Sequence, residues 1–414
     1  MSRPIIGFAG MTHLGVNSAA AAMQRDFQIV GFDPNGPVIE ALKHGRPPVT
    51  EPGLEEILRK KKELSTFTAV VADLGRCAVV CISTDVATDD EGRSDLTQVR
   101  ALIDSVIPAL GTQAVLVVLC QVPPGFTRTI KLPRDRLYYQ VETLAFGCAV
   151  ERAINPERFI VGCADAGRPL PAAYREYLSA FGCPILPMRY ESAELAKIAI
   201  NCCLVASVSV ANTLAELCER IDADWSEIAA ALKLDKRIGA HAYLSPGLGI
   251  AGGNLERDLE TVIRLAGELG TDAGVVKAWV ANSQHRRDWA ARKIRELLLN
   301  GNPKATVAVW GLAYKENTNS VKNSPSLATI AQLQGTVLRL HDPVVPGSTE
   351  KDPLAVARDA DALMILTPWP EYQNIEPAKI AAAMRGHIVL DPYKVLDGRA
   401  AAAAGLRIHT LGRS

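Results

Sequence analysis

Apolar residues fall along this chain in two alternating patterns. Short apolar runs bounded by turn residues predict buried strands, and longer stretches with apolar positions every three or four residues predict helices. In the first part the strand-like runs are Ile5 to Ala9, Gln28 to Phe32, Ala78 to Ser83, Ala114 to Cys120, Arg158 to Gly162 and Pro184 to Met188. Their alternation with helical patterns predicts βαβ units on a parallel sheet. Then the pattern changes. From Glu191 to Arg220 there is neither Pro nor Gly, and Leu195, Ile198, Val205, Val208 and Leu214 recur at helical spacing. One helix roughly 45 Å long is expected there. A mostly helical stretch follows, and Gly301 to Pro303 breaks it. A second strand–helix series then begins, with strands expected at Thr306 to Leu312, Thr336 to Pro343, Ala362 to Pro368 and His387 to Pro392. The expected order is α/β, long helix with a helical middle, α/β.

Composition narrows the function. Lys+Arg and Asp+Glu both number 45, so the formal net charge is zero, which removes the electrostatic footprint of a nucleic-acid binder. No uninterrupted apolar run approaches the roughly 20 residues that span a bilayer, so no membrane partner is expected. The start, MSRPIIGFAG, lacks the longer apolar stretch and cleavage site of a signal peptide, and the expected location is the cytoplasm. Nine cysteines without a CxxC pair indicate neither a disulfide framework nor a metal site.

The first strand-like run leads into GMTHLG, Gly10 to Gly15, and then into a helical NSAAAAMQ. That is the context in which a tight turn aims a helix N-terminus at a pyrophosphate. The second run ends in Asp33, 18 residues after Gly15, where a carboxylate would accept ribose hydroxyls. Pro34 and Asn35 follow rather than Arg, so NAD is expected in preference to NADP. Thr84 and Gln121, just past the third and fourth runs, join Gly10, Thr12, Gly15 and Asp33 as expected cofactor contacts. One element departs from the fingerprint: the second glycine of G-x-G-x-x-G is Thr12, whose side chain sits where backbone must approach phosphate.

Beyond this point EPGLEE (Glu51 to Glu56), VPPG (Val122 to Gly125), ESAELAKIAIN (Glu191 to Asn201), DKRIG (Asp235 to Gly239), GIAGGNLERD (Gly249 to Asp258), GLAYKENTNSVKNSP (Gly311 to Pro325) and TPWPEY (Thr367 to Tyr372) together resemble the UDP-glucose/GDP-mannose dehydrogenases, in order and spacing, over nearly the whole chain. The resemblance implies two Rossmann-like doubly wound domains, residues 1–190 for NAD and 301–414 for a nucleotide sugar. It implies that a long central helix and a helical dimerisation region, 191–300, join them in a homodimer. It also assigns roles. Lys197 and Asn201 lie at i and i+4 on one helix face and match family positions that stabilise oxyanion charge. Asp258 matches an aspartate that positions water or a base, and Glu142 matches the first glutamate of the family pattern E-F-L-R-E-G. Arg237 resembles an arginine that reaches substrate in the partner subunit. Tyr243, Gly249 and Gly253 would line the sugar pocket, and Lys315 matches a substrate contact.

Family enzymes oxidise a sugar alcohol to a carboxylate with two NAD, through a cysteine thiolate that adds to the aldehyde. In this chain Asn254 stands at the cysteine of GGxC-x-x-K-D, Gln121 at the threonine of STVPPG, and Phe146 at the second glutamate of E-F-L-R-E-G. Arg257 replaces the family lysine. The later arginine motif is replaced by DPYKVLD, Asp391 to Asp397. Cys202 and Cys203 turn away from the Asn201 face, and Cys120 adjoins Gln121 at a strand end. Three functions follow: an oxidoreductase that stops after one two-electron alcohol/carbonyl step, a full four-electron dehydrogenase giving a uronic acid, or a catalytically silent nucleotide-sugar and NAD-binding protein.

Overall fold

Most of the apolar runs become strands that bury both of their faces. In the computed structural model, which describes residues 3–89 and 93–413, the chain forms two compact units, Met1–Ile200 and Asn201–Ser414. The first contains β1 (Ile6–Ala9), β2 (Ile29–Phe32), β3 (Ser65–Thr68), β4 (Val79–Ile82), the short pair β5 (Ala87–Thr88) and β6 (Ser94–Asp95), β7 (Val115–Val118), β8 (Leu137–Gln140), β9 (Phe159–Cys163) and β10 (Ile185–Arg189). Eight of these form one sheet in the order β10-β9-β8-β7-β4-β1-β2-β3. Its neighbours run parallel except β8 and β9. Side chains of Ile6, Phe8, Val79, Cys81, Val115 and Val117 enter a core on one face. Ala9, Val80, Ile82, Leu116 and Val118 enter a second core on the other. Two covered faces are what a doubly wound parallel sheet requires.

The second unit carries β11 (Thr306–Trp310), β12 (Val337–His341), β13 (Ala362–Ile365), β14 (Ile388–Leu390) and β15 (Arg407–His409), an all-parallel sheet in the order β12-β11-β13-β14-β15. The same alternation divides Ala308, Trp310, Leu363 and Ile365 from Val307, Val309, Ala362 and Met364. Its first strand ends as that of the first unit does. Gly10 and Gly311 both have positive φ, +94° and +96°, and a Cβ on either would strike a threonine, Thr84 or Thr367.

The long helix runs Tyr190–Ile221, 32 residues, and opens with the Tyr190 hydroxyl donating to the Leu137 carbonyl at 2.7 Å. By length and composition it passes as a helix that could cross a membrane, although Ser, Thr and Asn interrupt its apolar run. Ala211, Ala215 and Cys218 pack on Trp225 and Leu244, whereas Val210, Leu214, Leu217 and Ile221 are exposed. The helix end is tied to a distant segment. Gly412 N–H donates to Glu219 Oε1 at 3.0 Å, and Trp225 N–H donates to the Gly412 carbonyl at 2.9 Å.

Two glycines with opposite surroundings test this packing. A Cβ at Gly15 would overlap the Gly10 carbonyl oxygen, so Gly15→Ala should destabilise by at least about 3 kcal/mol. Gly267 lies inside the helix Asn254–Leu269 with open space where a Cβ would go, so Gly267→Ala should stabilise by about 0.5–1 kcal/mol. Urea unfolding of both variants checks the pair, and destabilisation by Gly267→Ala would show that helix to be placed wrongly.

Candidate active site

β1 delivers the chain into the helix His13–Gln24 through a turn that only glycine permits at 10 and 15. Asp33, half-buried at the end of β2, accepts Met11 N–H on Oδ2 at 2.7 Å and Asn35 N–H on Oδ1 at 2.9 Å. A carboxylate accepts about four hydrogen bonds, so Asp33 retains capacity for ribose hydroxyls. Thr84 is buried beside Gly10. The adenosine-ribose end of NAD fits this set. The pyrophosphate end does not fit freely. Thr12 Oγ1 accepts Asp85 N–H at 2.9 Å, and Asp85 Oδ2 accepts His13 N–H at 3.1 Å. The His13 ring faces inward, with Nε2 2.8 Å from Glu51 Oε1 and its plane stacked on Phe146 at 3.9 Å. Glu51, part of EPGLEE, also accepts Gly147 and Ala149 N–H.

Glu142 stands just past β8. Burial pushes its carboxyl up to about 7, while the hydrogen bond from Gln140 and the charge of Lys197 hold it from rising further. Gln140 Nε2 donates to Glu142 at 2.6 Å, and the buried Tyr174 hydroxyl donates to Gln140 Oε1 at 2.8 Å. Lys197, half-buried, projects from the long helix one turn after Glu194. Glu194 is wholly buried and accepts Gly125 N–H at 2.5 Å and Thr127 N–H at 2.8 Å. That carboxylate fixes the VPPG loop beside half-buried Gln121. Cys120 is buried, donates to the Ile82 carbonyl, and is pushed up to about 12 by burial.

In the second unit Asn201 and Asp258 meet. Asn201 Nδ2 donates to Asp258 Oδ2 at 2.5 Å, and Arg257 Nε lies 3.3 Å from Asp258 Oδ1. All three are buried. Cys202 is half-buried, and burial, reinforced by the Asp258 charge, pushes its thiol up to about 11. Asn254 is exposed at the first position of Asn254–Leu269, on the same face as Asp258 four residues on. The preceding loop is anchored: Ile250 N–H donates to Ser283 Oγ at 2.7 Å, Asn323 Nδ2 donates to the Gly252 carbonyl at 3.1 Å, and Asn323 also reaches Glu256. Gly249 rests on Ser283, and Gly252, next to Gly253, rests on the ring of Tyr314, over which Lys315 Nζ sits at 5.8 Å. Tyr243 is exposed. So is Arg237, whose guanidinium pairs with Asp235 at 2.6 Å. Asp391 of DPYKVLD is a turn former that accepts Val395 and Leu396 N–H.

The first unit thus brings together Gly10, Thr12, Gly15, Asp33 and Thr84, and sets Lys197 against Glu142. The second brings Asn201 to Asp258 and leaves Arg237 and Tyr243 facing solvent. Gln140, Tyr174, Glu194 and Asp85 were absent from the residues picked out by sequence. Only Glu194 carried a signal there, inside the ESAELAKIAIN motif.

Three domain models of one family match the chain: the UDP-glucose/GDP-mannose dehydrogenase NAD binding domain over residues 5–172, the central domain over 191–284 and the UDP binding domain over 308–398. UDP-glucose 6-dehydrogenase TuaD of Bacillus subtilis (strain 168) is 28% identical over 433 residues, covering 99% of this chain and 93% of that protein. The UDP-glucose 6-dehydrogenase of Pseudomonas aeruginosa is 28% identical over 438 residues, covering 98% and 96%. Among solved structures, a UDP-glucose dehydrogenase from the hyperthermophilic archaeon Pyrobaculum islandicum matches with a TM-score of 0.83 at 27% identity, covering 96% and 98%. The UDP-D-ManNAc dehydrogenase of Pyrococcus horikoshii shares the fold, with a TM-score of 0.86 at 22% identity over 99% of each chain. An NAD-binding α/β domain, a central helical segment and a UDP-binding α/β domain define an NAD-dependent oxidoreductase of the class that acts on a CH–OH group of a nucleotide sugar. The chain belongs to the UDP-glucose/GDP-mannose dehydrogenase family.

The Glu142 carboxyl makes stability depend on pH in a calculable direction. Below an ordinary 4.5 it is protonated in both folded and unfolded chains and has no effect. Between 4.5 and about 7 the folded chain holds a proton that the unfolded chain has released, so stability falls as pH rises and levels off above 7. Glu142→Gln removes this term. The variant should gain on the unmodified protein by up to about 3 kcal/mol between pH 4.5 and 8. Denaturant unfolding at both pH values reads the gap, and a gap that stays constant would sink the assignment.

Proposed function

We propose that this protein runs one two-electron alcohol/carbonyl step on a nucleotide sugar and goes no further. The carrying observation is Asn254, an amide at the position that matches the family cysteine. An aldehyde has no hydride to give until a nucleophile adds to it, and an amide does not add. The thiols beside the key motifs do not compensate, because Cys120 and Cys202 are held protonated at about 12 and 11.

NAD supplies the hydride acceptor when bound to the first domain. The remaining work falls to side chains. Lys197, or water held by Asp258, takes the hydroxyl proton. Asn201 has two amide hydrogens; one goes to Asp258, and the other serves the oxygen on which negative charge grows. Glu142, pushed up to about 7 by burial, is a carboxyl near the Lys197 charge that changes protonation at neutral pH. Gly249, Gly253, Tyr243 and Lys315 hold the nucleotide sugar. The three-part organisation at 1–190, 191–300 and 301–414 places these roles on an NAD-binding domain, a helical middle and a nucleotide-sugar-binding domain.

If a nucleotide-sugar alcohol is substrate, each molecule should release one NADH and yield a carbonyl product. The check is NADH counted at completion, with product mass and a hydrazine trap. Two NADH with an acid product would show another nucleophile at work, or reaction through the hydrate. Asn254→Cys should form a covalent adduct with little turnover to acid, because Gln121 and Phe146 stand in place of the family threonine and glutamate.

The protein also forms a homodimer in which Arg237 serves the partner's site. Supporting this are the exposed apolar residues Val210, Leu214, Leu217 and Ile221, a stripe at helical spacing on one helix that a monomer would leave in water, and the exposure of Leu234 and of Arg237 itself. Sedimentation at micromolar concentration should give a dimer, and Leu214→Glu with Leu217→Glu should give monomers. A monomeric unmodified protein removes the idea.

A further inference from the structure

The first turn of a helix presents unsatisfied N–H groups and partial positive charge, which is why dinucleotide pyrophosphates bind there. In this chain that position has an occupant. Thr12 is the N-cap of His13–Gln24, a residue type that ordinarily caps with its own hydroxyl, yet it makes no such bond. Its Oγ1 instead accepts Asp85 N–H at 2.9 Å and reaches the Ser83 carbonyl at 3.4 Å. Held this way, Asp85 places Oδ2 3.1 Å from the His13 amide nitrogen and accepts its hydrogen. Met11 N–H already goes to Asp33 at 2.7 Å. A phosphate oxygen and a carboxylate oxygen make the same demand on a helix N–H. The imidazole of His13, which could have offered a cation to a phosphate, is turned inward onto Glu51 and Phe146.

We infer that Asp85 is an internal competitor for the cofactor pyrophosphate, and that Thr12 is the residue that anchors it there. The inference rests on the first domain being the NAD-binding one. Asp85 is exposed and lies on the loop after β4, so it can swing away, but cofactor binding must break its bond to His13 and accept a like charge nearby. Thr12 in place of glycine is then half of a two-residue device rather than an isolated defect in the fingerprint.

Calorimetric titration of the full chain with NAD tests this, comparing the unmodified protein with Asp85→Asn and Thr12→Gly. Adenosine, which lacks phosphates, serves as the control ligand. Asp85→Asn should bind NAD at least about tenfold more tightly, because it removes the repelled charge and weakens the cap. Thr12→Gly should tighten NAD binding in the same direction, and adenosine affinity should not move. NAD affinity that is unchanged or weaker in Asp85→Asn overturns the inference, as does equal tightening for adenosine. If the unmodified protein binds NAD well and the variants match it, the competitor idea alone fails. If none of the three binds NAD, the cofactor assignment fails with it.

Discussion

A carboxylate at the end of the second strand, accepting backbone N–H groups from the loop after the first, is the interaction on which each α/β domain depends. Parallel strands end side by side, so an aspartate there reaches the neighbouring loop without a strained backbone. In the first domain Asp33 takes Met11 N–H. In the second, Asp342 takes Leu312 and Ala313 N–H at 2.7 and 3.0 Å, and also Val344, Val345 and the Trp369 indole. Asp342 is thereby buried and heavily used, whereas Asp33 is half-buried with acceptor capacity left. The next element differs too. The first helix begins at His13, three residues past Gly10, but the second begins at Pro325, well beyond Gly311. One design thus serves as a cofactor turn in one domain and as a structural joint in the other.

Most of the sheet was legible because parallel strands buried on both faces read as unbroken apolar runs. The edge strands β10 and β12 were found because they still carry apolar runs, but strands poor in apolar residues were missed. β3, STFT, and β15, RIH, lie at sheet edges, where one side needs no apolar cover. β8, LYYQ, is interior and fully buried, but its polar atoms are satisfied by residues that local pattern cannot reveal: Tyr138 by the Asp135 carbonyl and Gln140 by Tyr174. The site divides similarly. Gly10, Gly15 and Asp33 follow from the turn and strand pattern, and Lys197 and Asn201 from the family resemblance of ESAELAKIAIN. Asp85 on His13, Tyr174 on Gln140 and Glu194 on Gly125 join residues 72, 34 and 69 apart, and neither period nor spacing encodes them.

The buried carboxyls show two ways of tuning an acid. Glu194 is surrounded by backbone donors from the VPPG loop, and burial still raises it; its service is to hold a loop. Glu142 has one amide donor and one nearby ammonium, and it reaches about 7. The first is a fastening, and the second is a group able to change charge at neutral pH. Glu194 and Lys197, whose charge bears on Glu142, lie one turn apart on the same helix.

The bond from Gly412 to Glu219 spans 193 residues, and it bears on how the chain is made. The first compact unit, Met1–Ile200, is drawn from the part of the chain made first, and domains generally fold as units during synthesis. In the second unit Glu219 meets Arg286 and Trp289 earlier, but Trp225 N–H has its acceptor only once Gly412 is in place. Contacts of such separation close slowly. Synthesis therefore brings the cofactor domain to completion before the segment that closes the far end of the helix.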